Sequence, residues 1–499
     1  MTHVLPSSTN RFPDASLMSS KLNRVLVIFA YALVSLLYWL PGNAAATPTT
    51  AETTEVVSVS SAQAIDRALA GHPTLRAGDA DIDAMKARLL AAWGVYVPKI
   101  DFTTLFTVMP AVRGDPFNGF TDYDDWGPFV RVDVAADSPI YAFGQLEALR
   151  DAARAGIDLS RAKRAIAQAE LVYQVRRAYC DLQLAEEVKA VLLDGKKYLE
   201  RARKRLETME EEDDPQYDQI EMLKLRVFEA DVQERVFSVE RDLSRAEHML
   251  RQSMGLGVDV AVRITERDLS PYAFVVAESA QYMALALQSR PEIAALNAKD
   301  AVAQSEVDLQ LARFFPTLKV IGNYRLAYSP VADDQLSPFA SDSYNVHTVG
   351  VSLGLSWTFD LGQQLGRYHE ALAKQEKAHQ DREAEILKLQ MDIENATADV
   401  KIQAQLIEIQ ASALRAARGW LIAKSDLYDT GFATLDDVQD ALVEYYKRKI
   451  GHYQAISTFN LAVLKLSRVV GADVTEYVPG TTGGAPSQNR MDSPKIESR

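Results

Sequence analysis

Asp437 and Asp440 stand three residues apart, so on a helix their carboxylates share one face. Gathered around an axis, such pairs make a ring of negative charge that attracts cations and repels anions in the mouth of a pore. A plainer reading takes precedence on these residues alone, because Asp is favoured in a solvated first helical turn by the helix dipole. No other pattern has the spacing that catalysis needs. The 7 histidines lack metal-ligand spacing, and His369-Glu370 is followed by Ala373 where the HExxH motif requires a second histidine. The single cysteine, Cys180, lies beside Tyr179 and Leu182 in a helical stretch and reads as a packing residue. Gly255-Leu256-Gly257 reads as a helix terminator rather than a phosphate loop. The expectation is no enzyme, no cofactor and no metal site.

The elements that must position those carboxylates repeat. Pro73 and Pro98 are 25 residues apart, as are Pro291 and Pro316, and the two pairs are offset by 218. Gly144-Gln145 and Gly362-Gln363 keep that offset, while Met254-Gly255 and Val470-Gly471 come within two residues of it. The chain therefore reads as a tandem duplication, with repeats at 61–255 and 279–471 and a linker at 256–278. Each copy runs helix, strand pair, very long helix, helix. The first helices span about Ala62 to Tyr96 and Ala280 to Phe315. The long ones, Gln145 to about Thr208 and Gln363 to about Asp429, contain no proline. At 1.5 Å per residue each would be about 100 Å long. Seams at three and four spacing follow, such as Leu225, Phe228, Val232, Val236, and Leu435, Val438, Leu442, Tyr445. This is coiled-coil packing. Pairs such as Glu200/Lys204 and Glu370/Lys374 clothe the other faces in charge.

Composition narrows the class. The 499 residues are 24% charged and 47% hydrophobic, too charged for a bundle of membrane-spanning helices and too apolar for disorder. With 54 basic and 68 acidic residues the net charge is −14, which argues against a nucleic-acid partner. Lys21 and Arg24 precede an apolar run, Val25 to Leu40, then Pro41-Gly42-Asn43 and Ala44-Ala45-Ala46. That is a secretory signal peptide at 1–46, with a retained membrane anchor as the alternative reading. Its removal takes the net charge from −14 to −16. Residues 472–499 read as a largely disordered tail, Gly/Ser/Pro-rich from Gly480.

Between the helices the apolar period switches to two. Val130, Val132, Val134 and Ala136 alternate with Arg131, Asp133 and Asp137. Val349, Val351, Leu353 and Leu355 alternate with Gly350, Ser352 and Gly354. Leu318, Val320, Tyr324, Leu326 and Tyr328 oppose Lys319, Asn323 and Arg325, and Phe102 and Phe106 mark a fourth segment from Ile100 to Val108. The strand pairs fall within 99–141 and 317–360, each strand about 10 residues, the length and alternation of a transmembrane β-strand. Pro110 to Gly127 and Ser329 to Asn345 read as Asp-, Gly- and Pro-rich external loops. Four strands leave open edges that lipid does not tolerate, so the chain must oligomerise, and three copies give an even twelve strands.

Ser138-Pro139-Ile140-Tyr141-Ala142-Phe143-Gly144 and Trp357-Thr358-Phe359-Asp360-Leu361-Gly362 resemble the strand-to-helix junctions of the TolC family of outer-membrane channel proteins, the outer membrane efflux protein family. The stretch from Tyr428 to Val438 resembles that family's second periplasmic helix-helix turn, and the likeness runs from about Ser61 to Gly471. The resemblance implies a mainly α fold with a transmembrane β part. A tandem-repeat, long α-helical coiled-coil barrel would form a periplasmic tunnel, continued by a trimeric 12-stranded β-barrel with four strands per protomer. It implies a homotrimer in the cell outer membrane, the exit duct of a tripartite efflux pump or type I secretion system, opening by iris-like movement of the helix tips. Its partners would be a periplasmic adaptor (membrane fusion protein), an inner-membrane pump of RND, ABC or MFS type, and outer-membrane lipid. By resemblance Asp437 and Asp440 line the pore constriction and Tyr428 and Asp218 form the tip latch. Gly431, Phe432, Glu212 and Asp213 would meet the adaptor at the tip turns.

The first tip turn departs from the family pattern. Glu210-Glu211-Glu212-Asp213-Asp214-Pro215 replaces a glycine-containing turn, and Ala433 stands where some members carry a latching arginine. The acidic run suits either a basic adaptor tip or a solvated cap. A soluble periplasmic coiled-coil scaffold or adaptor is the rival reading, but it has no use for lipid-facing alternation in both copies.

Overall fold

The computed structural model describes residues 55–115, 117–213 and 217–475. The expected signal peptide, Asp214 and Pro215 of the first tip turn, and residues 476–499 of the expected tail lie outside the described residues. In the first half come β1 (Glu55–Val59), α1 (Ser61–Gly71), α2 (Pro73–Gly94), β2 (Lys99–Arg113), β3 (Phe120–Tyr141), α3 (Gln145–Glu211) and α4 (Gln219–Ser253). The second half has β4 (Val260–Ile264), α5 (Ser279–Ser289), α6 (Pro291–Ala312), β5 (Thr317–Tyr328), β6 (Val346–Ser356), α7 (Leu361–Asp429) and α8 (Leu435–Val470).

The long helices α3 and α7 have 67 and 69 residues. Each helix expected ahead of a strand pair is instead two. Pro73 and Pro291 open α2 and α6, and the residues before them, His72 and Arg290, are extended at ψ 132 and 121. The proline ring excludes the α conformation from the preceding residue, so the helix must restart.

The 218-residue offset recurs in the core. One apolar cluster contains Leu171, Val175, Ala178 and Leu182. The other contains Leu389, Ile393, Ala396 and Val400, each 218 residues further on. Ala64, Ala68 and Leu75 correspond in the same way to Tyr282, Ala286 and Ile293. Each cluster locks the middle of a long helix against the short helices of its own repeat. A feature absent from the sequence reading joins them: β1 and β4 pair in parallel, Glu55 opposite Val260 through Val59 opposite Ile264. The chain also stays packed beyond Gly471, since Val474 is fully buried and Asp473 forms an ion pair with Arg176 at 2.6 Å. Residues 472–475, expected in the tail, are thus part of the packed structure.

β2, β3, β5 and β6 form one antiparallel sheet in that order. β2 and β3 have 15 and 22 residues, longer than the expected ten, and most of the stretch expected as a loop from Pro110 to Gly127 is strand. Its aspartates were misleading because the hairpin continues past the apolar band, beyond a register shift between Pro110 and Ala111. The register aligns the faces. Phe102 opposes Val134, which opposes Tyr324, which opposes Val349. One step along, Thr103, Asp133, Arg325 and Thr348 line the other face. There Asp133 holds Arg325 at 2.6 Å and Arg131 at 2.8 Å, and Lys319 faces Asp137 at 3.6 Å. A water-filled side accepts such pairs, while Phe102, Phe106, Val349 and Val351 stand exposed on the apolar side. β2 and β6 are open edges. Among the described residues, no helix is long and apolar enough to cross a membrane.

Candidate functional site: the helix tips

Far from the sheet, α3 turns into α4 and α7 into α8, and the two hairpin ends pack on each other through Leu199, Leu206, Met222, Leu225 and Leu442. The second turn is set by backbone geometry. Gly431 has φ 80, its N–H donates to Tyr428 O at 3.0 Å, and Phe432 N–H donates to Leu427 O at 2.8 Å. This pair of bonds satisfies the last carbonyls of α7 and needs a residue at ease in the left-handed region. Phe432 is left 83% exposed at the extremity. The first turn solves the same problem without glycine: Asp213 takes the left-handed position at φ 52 after Glu212 ends α3. Asp tolerates that region better than most residues.

The two expected constriction residues do different things. Asp437 is the third residue of α8 and completes a capping box, its carboxylate accepting from Thr434 N at 3.1 Å while Thr434 Oγ1 accepts from Asp437 N at 3.3 Å. Lys424 of α7 donates to the same carboxylate at 2.8 Å. That hydrogen bond, with those from Thr434, holds the Asp437 carboxyl well below the usual range, at about 2. Asp440, one turn on, is exposed and lines a hollow shared with Lys224 and Asp436.

Of the expected latch residues, Asp218 caps α4 by accepting from Ile220 N at 2.8 Å. Tyr428 lies under the Arg205 guanidinium of α3, 5.7 Å from the ring centroid. Two contacts that the sequence reading missed cross between the hairpins. Lys224 of α4 pairs with Asp436 of α8, and Tyr446 of α8 donates to Asp194 of α3 at 3.1 Å. Neither has a sequence signal, because each depends on how one hairpin lies against the other. Gln439 was also missed: it is 5% exposed, and neither amide atom has a hydrogen-bond partner.

A chain whose two halves share one element order, with lipid-type hairpins running into paired helices of about 100 Å, defines the class of barrel-and-tunnel channels. The sequence profile of the outer membrane efflux protein family matches residues 64–209 and 283–472, and the chain belongs to that family. It is accordingly a protein of the outer membrane with a periplasmic helical domain, in a family of channels rather than enzymes. Solved structures share the fold. The outer-membrane channel OprN is 18% identical, with 83% of this chain and 90% of that one covered at a TM-score of 0.67. The CmeC outer membrane channel of Campylobacter jejuni is 13% identical, with 83% and 86% covered at 0.69. The MtrE outer membrane channel of Neisseria gonorrhoeae, solved in an open state, is 17% identical, with 87% and 96% covered at 0.64. No curated protein sequence matches the chain.

Proposed function

We propose that the chain is the protomer of a homotrimeric exit duct, in which three copies close a twelve-stranded barrel and continue it as a helical tunnel. The observation that carries this is the set of surfaces one copy leaves unpartnered. β2 and β6 present open edges on a sheet whose outer face is apolar, which lipid forbids unless the edges pair. Exposed apolar stripes run down the tunnel helices as well. On α7 they comprise Leu387, Met391, Ile402, Ile409 and Trp420, and on α4 Ile220, Leu223, Val227 and Phe237. Stripes of this length in otherwise charged helices are seams awaiting partner helices.

In this assembly the tips are the gate. Asp437 and Asp440 from three copies form an acidic constriction, and Tyr428 and Asp218 belong to the contacts that hold the tips closed. Opening is an iris-like shift of one tip hairpin against the other, and the few polar contacts between hairpins allow it. The turns at Glu212, Asp213, Gly431 and Phe432 meet a periplasmic adaptor, which connects the duct to an inner-membrane pump of RND, ABC or MFS type. Tripartite efflux and type I secretion both use such a duct.

The test is selectivity in planar bilayers. Asp437→Ala with Asp440→Ala lowers cation preference and block by divalent cations. A reversal potential equal to that of the wild type removes the acidic constriction from the account.

A further inference from the structure

Where the two tip hairpins meet, α3, α4, α7 and α8 line a half-open cavity of about 310 Å³. Its chemistry is lopsided. Arg201 and Arg205 contribute guanidinium groups, and among the described residues no carboxylate lines it. Arg201 stacks on Tyr198 at 5.5 Å and donates to the Lys197 carbonyl at 3.4 Å. Arg205 stacks on Tyr428 at 5.7 Å. Among the described residues, neither arginine has an acidic partner, although the chain as a whole carries an excess of acid. Gln439 forms part of the wall, and both of its amide atoms go without hydrogen bonds although the residue is 5% exposed. Leu199, Leu206, Leu225 and Leu442 make the remainder apolar.

A buried amide without partners is unfavourable unless something meets it. The volume is at the small end of ligand pockets. We propose that this cavity binds a small aromatic carboxylate. The carboxylate accepts from Arg201 and Arg205, in the charge-assisted geometry for which guanidinium is suited. Gln439 Nε2 donates to one of its oxygens, and the ring lies against the leucines. Because every tip helix contributes to the wall, occupancy ties one hairpin to the other. If the tips are the gate, a bound ligand also reduces opening. Binding itself does not depend on that reading, so calorimetry and conductance fail separately.

The test is isothermal titration of the detergent-solubilised full chain with 2-naphthoate, and with the neutral 2-naphthamide as comparison. The cavity predicts saturable binding of one 2-naphthoate per chain. Arg201→Gln with Arg205→Gln weakens it about tenfold or more, the loss of charge-assisted bonds, and leaves 2-naphthamide within about twofold. Gln439→Leu, which does not touch the charges, weakens 2-naphthoate several-fold. Both arginines are exposed, so the double variant folds, and circular dichroism confirms it. Uptake that scales with detergent overturns the proposal. So does undiminished binding by the double variant, or equal weakening of both compounds.

Discussion

Ile402 and Ile409 sit on the outward stripe of α7, 52% and 60% exposed in a single copy. Neither belongs to the apolar clusters that hold the protomer together. Replacing both with asparagine therefore separates assembly from folding. Full burial of an isoleucine side chain is worth about 1.5–3 kcal/mol, and roughly half of each remains to be buried against a neighbour. The double substitution thus removes about 2–3 kcal/mol per interface, or roughly 30- to 150-fold in each contact. Two buried carboxamides without partners add to the loss. In the proposed trimer three equivalent interfaces feel it together, so that assembly should give way to smaller species. Light scattering on the detergent-solubilised protein reads the mass, and far-ultraviolet circular dichroism reads the helix content. Unchanged mass would refute the assignment of this stripe to the interface. Loss of helix would place the stripe inside the fold instead.

Gly471 ends α8 at φ 78, and an added Cβ would lie 2.8 Å from Arg290 Cα, so Gly471→Ala should lower thermal stability by at least about 1–3 kcal/mol. An unaltered unfolding temperature contradicts this. Asp437 titrates at about 2, so its charge persists as pH falls through the ordinary carboxylate range near 4 and is lost only close to 2. In an Asp440→Asn background, Lys424→Met should move the loss of cation selectivity to higher pH, read as reversal potential against pH. No movement contradicts the lysine's role. Asp213→Val places a β-branched residue at φ 52 and should loosen the first tip turn by about 1–3 kcal/mol, seen as faster proteolytic nicking there, while Asp213→Gly nicks no faster than the wild type.

Much of the architecture is legible in the sequence because it repeats. The 218-residue offset of prolines and glycines is the same offset that relates Leu171 to Leu389 and Val175 to Ile393 in the cores. Absence of proline marks the long helices, and period-two alternation marks the sheet, since both are local consequences of backbone geometry. What stayed hidden is long-range. β1 and β4 are five residues each and about two hundred residues apart, with no turn between them to signal pairing. The Asp-rich end of the first hairpin has loop composition, yet it is strand because its partner strand continues beside it. At the tips, the capping role of Asp437 could be read from Thr434 three residues earlier, by the same spacing that defines a capping box. Its bond to Lys424, the Lys224–Asp436 pair and the stranded amide of Gln439 depend on how hairpins lie together, which no local pattern encodes.

The central claim is that one copy is a third of a closed barrel. Chemical crosslinking of the outer-membrane fraction, followed by mass determination, tests it most directly. The account predicts a crosslinked species of three chains that is recovered with the outer membrane. Recovery of single chains from the soluble fraction would contradict it.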